Sequence, residues 1–102
     1  AFDGWMLDLG RRELIDPNGR PCELTTAELN LLEVFLRHPG RVLSRDALMD
    51  LLKGRDWSPL DRSIDTQIAR LRKKIERAPE QPQLIKTVRG VGYVLAVPVT
   101  AG

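Results

Sequence analysis

The 102 residues, 42% of them hydrophobic, suit one compact domain and are too apolar for a disordered chain. No apolar run is long enough to span a membrane and no basic-then-apolar leader is present, so we expect a single soluble, cytoplasmic domain over 1–102. The net charge of +2 is unevenly distributed, because residues 1–61 carry eight basic and 11 acidic side chains, whereas 62–102 carry eight and three. A balance of −3 followed by +5 favours a polyanionic partner for the C-terminal part.

The first 24 residues predict a small antiparallel sheet. Apolar residues at 5, 7 and 9 alternate with their neighbours, as in a half-buried strand, and residues 14–15 and 22–24 predict two further short strands. The sequence DPNG at 16–19 predicts the turn between those two strands. Cys22 is the only cysteine and cannot form an internal disulfide, so we expect a small core residue.

A first helix is predicted to begin after Thr25. This residue and Glu28 have the spacing of a capping box, in which each side chain accepts a hydrogen bond from the other residue's backbone N–H. Leucines at helical spacing follow, and the sequence HPG at 38–40 predicts the end of the helix. We expect His38 in a solvent-facing turn.

A second helix is predicted to begin after Ser44 as N-cap. Leu43 before the cap and Leu48 at the fourth helical position have the spacing of a hydrophobic staple. The apolar pattern stops at Lys53, so residues 53–57 are predicted to form a loop.

The third helix is predicted to span about 59–77. Ser58 is a suitable N-cap, Pro59 is favourable in the first turn, and Asp61 complements the positive end of the helix dipole. Four apolar residues with successive spacings of 4, 3 and 4 predict the buried side. These residues are Ile64, Ile68, Leu71 and Ile75.

The opposite side of this helix is basic. Its small residues would allow close approach to a DNA major groove, in which an arginine can read guanine through two hydrogen bonds and a lysine can neutralise phosphate. The alternative is a charged face that is merely solvated. The outward residues are Arg62, Thr66, Ala69, Arg70, Lys73 and Arg77, with Arg72 and Lys74 on the flanks.

A β-hairpin is predicted at the C-terminal end, with strands at 85–88 and 93–95 around a four-residue link at 89–92. Arg89 at the tip could enter a narrow, electronegative minor groove, with Lys86 and Thr87 on the approach. The alternative is that the glycines of the link only form the turn, and both interpretations can hold together. The tail after Pro98 is expected to fray.

The order of these elements predicts an α+β winged helix-turn-helix: an N-terminal antiparallel sheet, three helices and a C-terminal hairpin wing. Five correctly spaced segments also resemble the C-terminal effector domain of OmpR/PhoB-type response regulators, over about residues 2–97. The segments are LTTAE (24–28), PGRVLSR (39–45), DRSID (61–65), RLRKK (70–74) and IKTVRGVGY (85–93).

The resemblance implies sequence-specific binding of double-stranded DNA in transcription regulation, with the third helix in the major groove and the wing tip, about 88–92, at the minor groove. Thr66 and Ala69 lie where family members vary, so they would set operator choice. No cofactor is implied. The implied DNA-binding residues are Arg62, Thr66, Ala69, Arg70, Arg72, Lys73, Thr87, Arg89 and Tyr93.

The resemblance also implies partners beyond DNA. The loop between the second and third helices would contact RNA polymerase, although Trp57 could instead fold back on the core. Two protomers would bind tandem DNA repeats, and a receiver domain would accompany this effector domain in the full-length protein. We interpret the chain as an excised domain rather than a stand-alone relative. The loop residues are Lys53, Gly54, Arg55, Asp56 and Trp57.

Other classes of function have weaker support in the sequence. No catalytic triad is recognisable, since the one histidine and the one cysteine lie in different elements. Asp56, Asp61 and Asp65 could be imagined as a metal cluster, but an ion pair of Asp65 with Arg62 is expected instead. A winged helix that binds an acidic protein is the main alternative, and RNA binding would need an exposed aromatic pair.

Overall fold

The computed structural model describes residues 1–53 and 64–100, which form two small antiparallel sheets around helices. The N-terminal sheet has the strand order β1-β2-β3, and the C-terminal sheet has the order β4-β6-β5. Among the described residues, no helix is both long and apolar enough to cross a membrane. The elements are β1 (Met6–Asp8), β2 (Glu13–Ile15), β3 (Pro21–Cys22), α1 (Thr26–Arg37), β4 (Leu43–Ser44), α2 (Arg45–Leu52), α3 (Ile64–Ile75), β5 (Ile85–Val88) and β6 (Gly92–Leu95).

The N-terminal sheet covers one side of the core. Leu7 pairs with Leu14 and Leu14 with Cys22, so one residue from each strand faces inward, and Cys22 is partly buried against the core. The prediction that Leu9 continues the buried side was wrong, because β1 ends at Asp8 and Leu9 is 47% exposed. The third strand is also shorter than predicted, since one further pair would place Glu23 opposite the like charge of Glu13.

The predicted starts of α1 and α2 are confirmed. The Thr25 hydroxyl accepts from the backbone N–H of Glu28, and the Glu28 carboxylate accepts from the N–H of Thr25, which completes the capping box. The Ser44 hydroxyl accepts from the N–H of Ala47 at the start of α2. Leu43, on the N-terminal side of that cap, is buried in the core. Helix α1 ends at Arg37, as the HPG sequence predicts, and the partly buried His38 is its C-cap.

Helix α3 packs on α1 and α2 through its apolar stripe. The predicted inward residues are 4%, 1%, 0% and 3% exposed in chain order, so the predicted rotation of this helix is confirmed. The helix ends at Ile75, two residues earlier than predicted. Beyond it, the buried Glu76 carboxylate accepts from the backbone N–H groups of Gln83, Leu84 and Ile85, which ties the chain to the start of β5. The predicted start of the helix lies outside the described residues.

The C-terminal sheet contains a strand that the sequence did not predict. Strand β4 pairs with β6, which places Leu43 opposite Tyr93 and Ser44 opposite Gly92. The link of the hairpin has three residues rather than four, because Gly92 is the first residue of β6. A Cβ at Gly92 would lie 2.0 Å from the carbonyl oxygen of Leu43, so only glycine allows this close approach.

The two chain ends meet beside the N-terminal sheet. Val99 pairs with the buried Phe2, and the backbone N–H of Thr100 donates to the carbonyl of Ala1 at 2.8 Å. The expectation that the tail after Pro98 frays was therefore wrong for residues up to Thr100. Strand pairing to the first residues holds it in place.

Candidate nucleic-acid interface

The side of α3 that faces away from the core is exposed and basic. Within residues 1–53 and 64–100, Arg70, Lys73 and Arg77 form no ion pair or side-chain hydrogen bond. Thr66 and Ala69 lie exposed among them and are short, so the backbone of α3 is accessible between the long basic side chains. Arg62, predicted for the same side, lies outside the described residues. This exposed stripe of α3 is sterically and electrostatically suited to a polyanion.

The two basic residues on the flanks of α3 have partners within the protein. Lys74 donates to the buried carboxylate of Glu28 at 2.6 Å, which links α3 to the capping box of α1. Burial alone would raise the pKa of Glu28, but hydrogen bonds from Lys74 and from the N–H of Thr25 lower it overall. Glu28 is therefore ionised at neutral pH, and Lys74 is committed to it.

Arg72, on the other flank, binds the wing. Its Nε and Nη2 donate to the carbonyl oxygen of Ile85 at 3.0 and 2.7 Å, and Nη2 also donates to the Thr87 hydroxyl at 2.9 Å. The two N–H groups of Nη1 are left available, because a guanidinium has five donors. Arg72 therefore connects α3 to β5 and retains donors for an external acceptor.

The tip of the wing projects three exposed residues. Arg89 has no side-chain partner among the described residues, Gly90 has a φ of +77°, and Val91 is 53% exposed. The N–H of Val91 donates to the carbonyl of Val88 at 3.0 Å, which closes the tight turn. Lys86 and Thr87 are exposed on β5 below the tip, so the basic character continues along this strand.

A network of side chains joins α2, α3 and the wing. We call Arg45, Asp65, Arg72 and Tyr93 the helix–wing junction. The Tyr93 hydroxyl donates to Asp65, and Arg45 Nε donates to the same carboxylate oxygen at 2.9 Å. The guanidinium carbons of Arg45 and Arg72 lie 5.7 and 5.5 Å from the centre of the Tyr93 ring. Asp65 thus has partners on α2 and β6, whereas the expected pair with Arg62 involves a residue outside the described ones.

The junction shifts the ionisation of two of its members. Hydrogen bonds from Tyr93 and then from Arg45 lower the pKa of Asp65, so its carboxylate is charged at neutral pH. Burial, followed by the hydrogen bond to Asp65, raises the pKa of Tyr93. Tyr93 is only 5% exposed and keeps its proton, which it donates to Asp65.

Sequence reasoning missed this junction. It placed Arg72 on the flank of the third helix, identified Tyr93 by resemblance alone and gave no role to Arg45. Asp65 is separated from Arg45 by 20 positions and from Tyr93 by 28, so no helical or strand periodicity relates them. The available signal was the hydroxyl group of Tyr93 in an otherwise apolar strand, because a buried hydroxyl needs a hydrogen-bond partner.

Two other predicted sites fall partly outside the described residues. Lys53 is exposed and pairs with Asp50 at 3.0 Å, whereas Gly54, Arg55, Asp56 and Trp57 of the same predicted loop are outside. No group of three or more histidine, cysteine or acidic residues within the described ranges could hold a metal ion. Burial raises the pKa of Cys22, so its thiol stays protonated and is a poor nucleophile.

Comparisons with known proteins agree with this geometry. The family described as "Transcriptional regulatory protein, C terminal" matches residues 19–95. The chain is 50% identical over 93 residues to the transcriptional regulatory protein AruR of Pseudomonas aeruginosa and to the regulatory protein VirG of Agrobacterium fabrum. These alignments cover 91% of the chain but only 38% and 37% of the relatives, so the chain spans well under half of their length.

Solved structures show the same fold. The DNA-binding domain of Klebsiella pneumoniae RstA, determined in complex with the RstA box, superimposes with a TM-score of 0.81 at 36% identity and 94% coverage of both chains. The DNA-binding domain of Escherichia coli CpxR gives a TM-score of 0.73 at 35% identity, with 93% of this chain and 92% of that chain covered.

Proposed function

We propose that the chain binds double-stranded DNA sequence-specifically. It belongs to the family of transcriptional regulatory protein C-terminal domains, of the OmpR/PhoB response-regulator type. This family consists of DNA-binding domains and not of enzymes. The observation that carries this proposal is the exposed stripe of α3, in which Arg70, Lys73 and Arg77 have no acidic partner within the described part of the chain. The RstA domain, which shares the fold, was solved on its own DNA box, and this supports the same activity here.

We propose that α3 lies in the major groove and reads base edges. Arg70 is the candidate for a two-bond contact to guanine, and Thr66 and Ala69 set which neighbouring bases fit. Lys73 binds phosphate and fixes the register of the helix on the duplex. Arg62 is proposed as a further contact from the same side, on the strength of its family position.

We propose that the wing contacts the adjacent minor groove through Arg89. The exposed guanidinium next to a glycine turn fits a narrow groove with high negative potential. Thr87 and the free Nη1 of Arg72 can reach a phosphate between the two grooves. Tyr93 cannot donate its one hydroxyl proton to phosphate while it donates to Asp65, so we assign it a positioning role.

The finer biological setting is proposed from family membership. The chain would act in the cytoplasm as the output domain, residues 1–102, of a two-component regulator whose receiver domain lies elsewhere in the full protein. Two protomers would bind tandem repeats. The loop from Lys53 to Trp57 would contact RNA polymerase.

A salt titration tests DNA binding directly. For a domain that neutralises about five phosphates, the slope of log K against log salt should be near −4 to −5 on duplex DNA. The same titration on in vitro selected and on scrambled duplexes separates the specific from the non-specific part. A flat salt response, or equal affinity for both duplexes, would contradict the proposal. Binding to an acidic protein without binding to DNA would instead indicate the alternative, a winged helix that binds an acidic protein partner.

A further inference from the structure

Helix α3 and the wing are joined by polar contacts at two separate points. Asp65, in the first turn of the described helix, accepts from Tyr93 on β6. Arg72 binds the Ile85 carbonyl and the Thr87 hydroxyl on β5. The two helix residues are seven positions apart, so they lie on one side and about 10 Å apart along the axis. Two attachment points restrain both the distance and the rotation of the hairpin relative to the helix.

The contacts at Thr87 and Tyr93 lie on the half of the hairpin that extends toward the tip, whereas the contact of Arg72 with the Ile85 carbonyl lies at its base. Ile85 and Leu95 form a fully buried pair at the base of the hairpin, whereas Thr87 and Tyr93 pair two positions further out, one pair before the turn. Strand β5 is the edge strand of its sheet, so it pairs with β6 on one side only. Beyond Ile85, its Thr87 hydroxyl accepts a hydrogen bond from Arg72 of α3. Apolar packing fixes the base, and the helix–wing junction supports the part that carries Arg89.

The other edge of the hairpin is fixed by backbone contact. The backbone of Gly92 is in close contact with the backbone of Leu43 and Ser44 on β4. Ser44 is also the N-cap of α2. Arg45, the first residue of α2, completes the network by donating to Asp65. The start of α2, the outer half of the wing and the DNA-facing helix are therefore held as one unit.

We propose that Asp65 and Tyr93 are positioning residues for DNA recognition, which hold the wing at a set orientation to α3 so that binding by the helix delivers Arg89 to the neighbouring groove. This inference rests on the proposed function. A wing held in place has a high effective concentration at its groove once α3 is bound, whereas a loosened wing must be ordered on the DNA. The contribution of Arg89 to DNA affinity therefore depends on the helix–wing junction.

A double-mutant cycle between Tyr93→Phe and Arg89→Ala on a selected duplex tests the inference. In the wild-type protein, Arg89→Ala should weaken binding about 5- to 10-fold. Tyr93→Phe keeps the buried ring and both stacked guanidinium groups. In this background, Arg89→Ala should weaken binding by about twofold or less. Tyr93→Phe alone should weaken binding about 3- to 10-fold. Thermal unfolding of each variant checks that the fold is kept.

Two further variants keep the test decisive. Asp65→Ala alters a side chain that is 51% exposed, so it serves if Tyr93→Phe fails to fold, and it should reduce the effect of Arg89→Ala in the same way. Asp50→Asn changes an exposed acid of α2 that is outside the junction, and the full effect of Arg89→Ala should persist there. An equal effect of Arg89→Ala in all backgrounds overturns the positioning role alone. A wild-type protein that binds no duplex overturns the proposed function and this inference together.

Discussion

The two sheets of this domain each have three antiparallel strands, yet they are built differently. The N-terminal sheet joins neighbours in the chain, and its register places one residue per strand against the core. The C-terminal sheet pairs β6 with β4, which is some 50 positions earlier in the chain, and extends a hairpin beyond the core. The first sheet contributes mainly to packing, whereas the second also supports an exposed arginine.

The charges of the two regions differ in the same way. Arg12, beside the N-terminal sheet, donates to Asn30 at 2.7 Å and lies near Glu33 on α1. On α3 and at the wing tip, Arg70 and Arg89 have no acidic partner among the described residues. Neutralised arginines hold elements together, and uncompensated ones are available to a polyanion.

The largest expected effect comes from a single methyl group in the C-terminal sheet. Gly92→Ala places a Cβ 2.0 Å from the Leu43 carbonyl oxygen, so the wing must separate from β4. We expect a loss of about 3 kcal/mol or more in the free energy of unfolding, measured by denaturant titration. Gly19→Ala, in the turn between β2 and β3 of the N-terminal sheet, meets open space at a φ of +83° and should cost only about 1 kcal/mol. Similar losses for the two variants would contradict the close pairing of β4 and β6.

The next effect concerns base reading by α3. Arg70→Ala should cost about 1–3 kcal/mol on the selected duplex and relax the preference at one base position, because a two-bond contact is lost. Lys73→Ala should weaken all duplexes similarly and make the salt slope about one unit shallower. Binding to a panel of single-base variants distinguishes the two. Unchanged selectivity after Arg70→Ala would rule out base reading by this residue.

A smaller effect should show that an arginine of the C-terminal sheet contributes to DNA affinity and that one beside the N-terminal sheet does not. Arg89→Ala at the wing should cost about 1 kcal/mol on duplexes with A/T-rich flanks and less on G/C-rich flanks, where the minor groove is wider. The matched control is Arg20→Ala, which removes another exposed arginine, beside the N-terminal sheet. Its affinity should stay within about 0.5 kcal/mol of the wild-type value. Equal losses at both positions would indicate nonspecific attraction to net charge.

The smallest effect is a pH dependence of stability that arises from Glu28. Its pKa is lowered in the folded domain, so its ionised form stabilises the fold above the unfolded pKa near 4.5, and this stabilisation is lost as pH falls through the folded pKa. Glu28→Gln should flatten the loss of stability below about pH 4.5, as followed by thermal unfolding from pH 3 to pH 7. An unchanged pH profile would show that the pair with Lys74 does not control this titration.

Local signals in the sequence were sufficient for much of the fold. The caps Thr25 and Ser44 act on residues three positions away, so their patterns predicted both helix starts. The 4-3-4 spacing of apolar residues gave the rotation of α3 and therefore its outward side. Strand β4 was missed because two residues have no periodicity, and their pairing partner lies far along the chain.

The candidate site divides in the same way. The exposure of Thr66, Ala69, Arg70 and Lys73 follows from helical geometry alone. The contacts of Arg72 and Tyr93 depend on how the hairpin packs beside α3, which no local pattern encodes. The link between α3 and the wing therefore required the three-dimensional structure.

We propose that the outward side of α3 and the wing tip contact DNA together, and amide chemical-shift mapping with an in vitro selected duplex can test this. We expect the largest perturbations at Thr66, Ala69, Arg70, Lys73 and Arg89, with the N-terminal sheet from Met6 to Cys22 nearly unchanged. Perturbations concentrated on that sheet, with α3 unaffected, would contradict it.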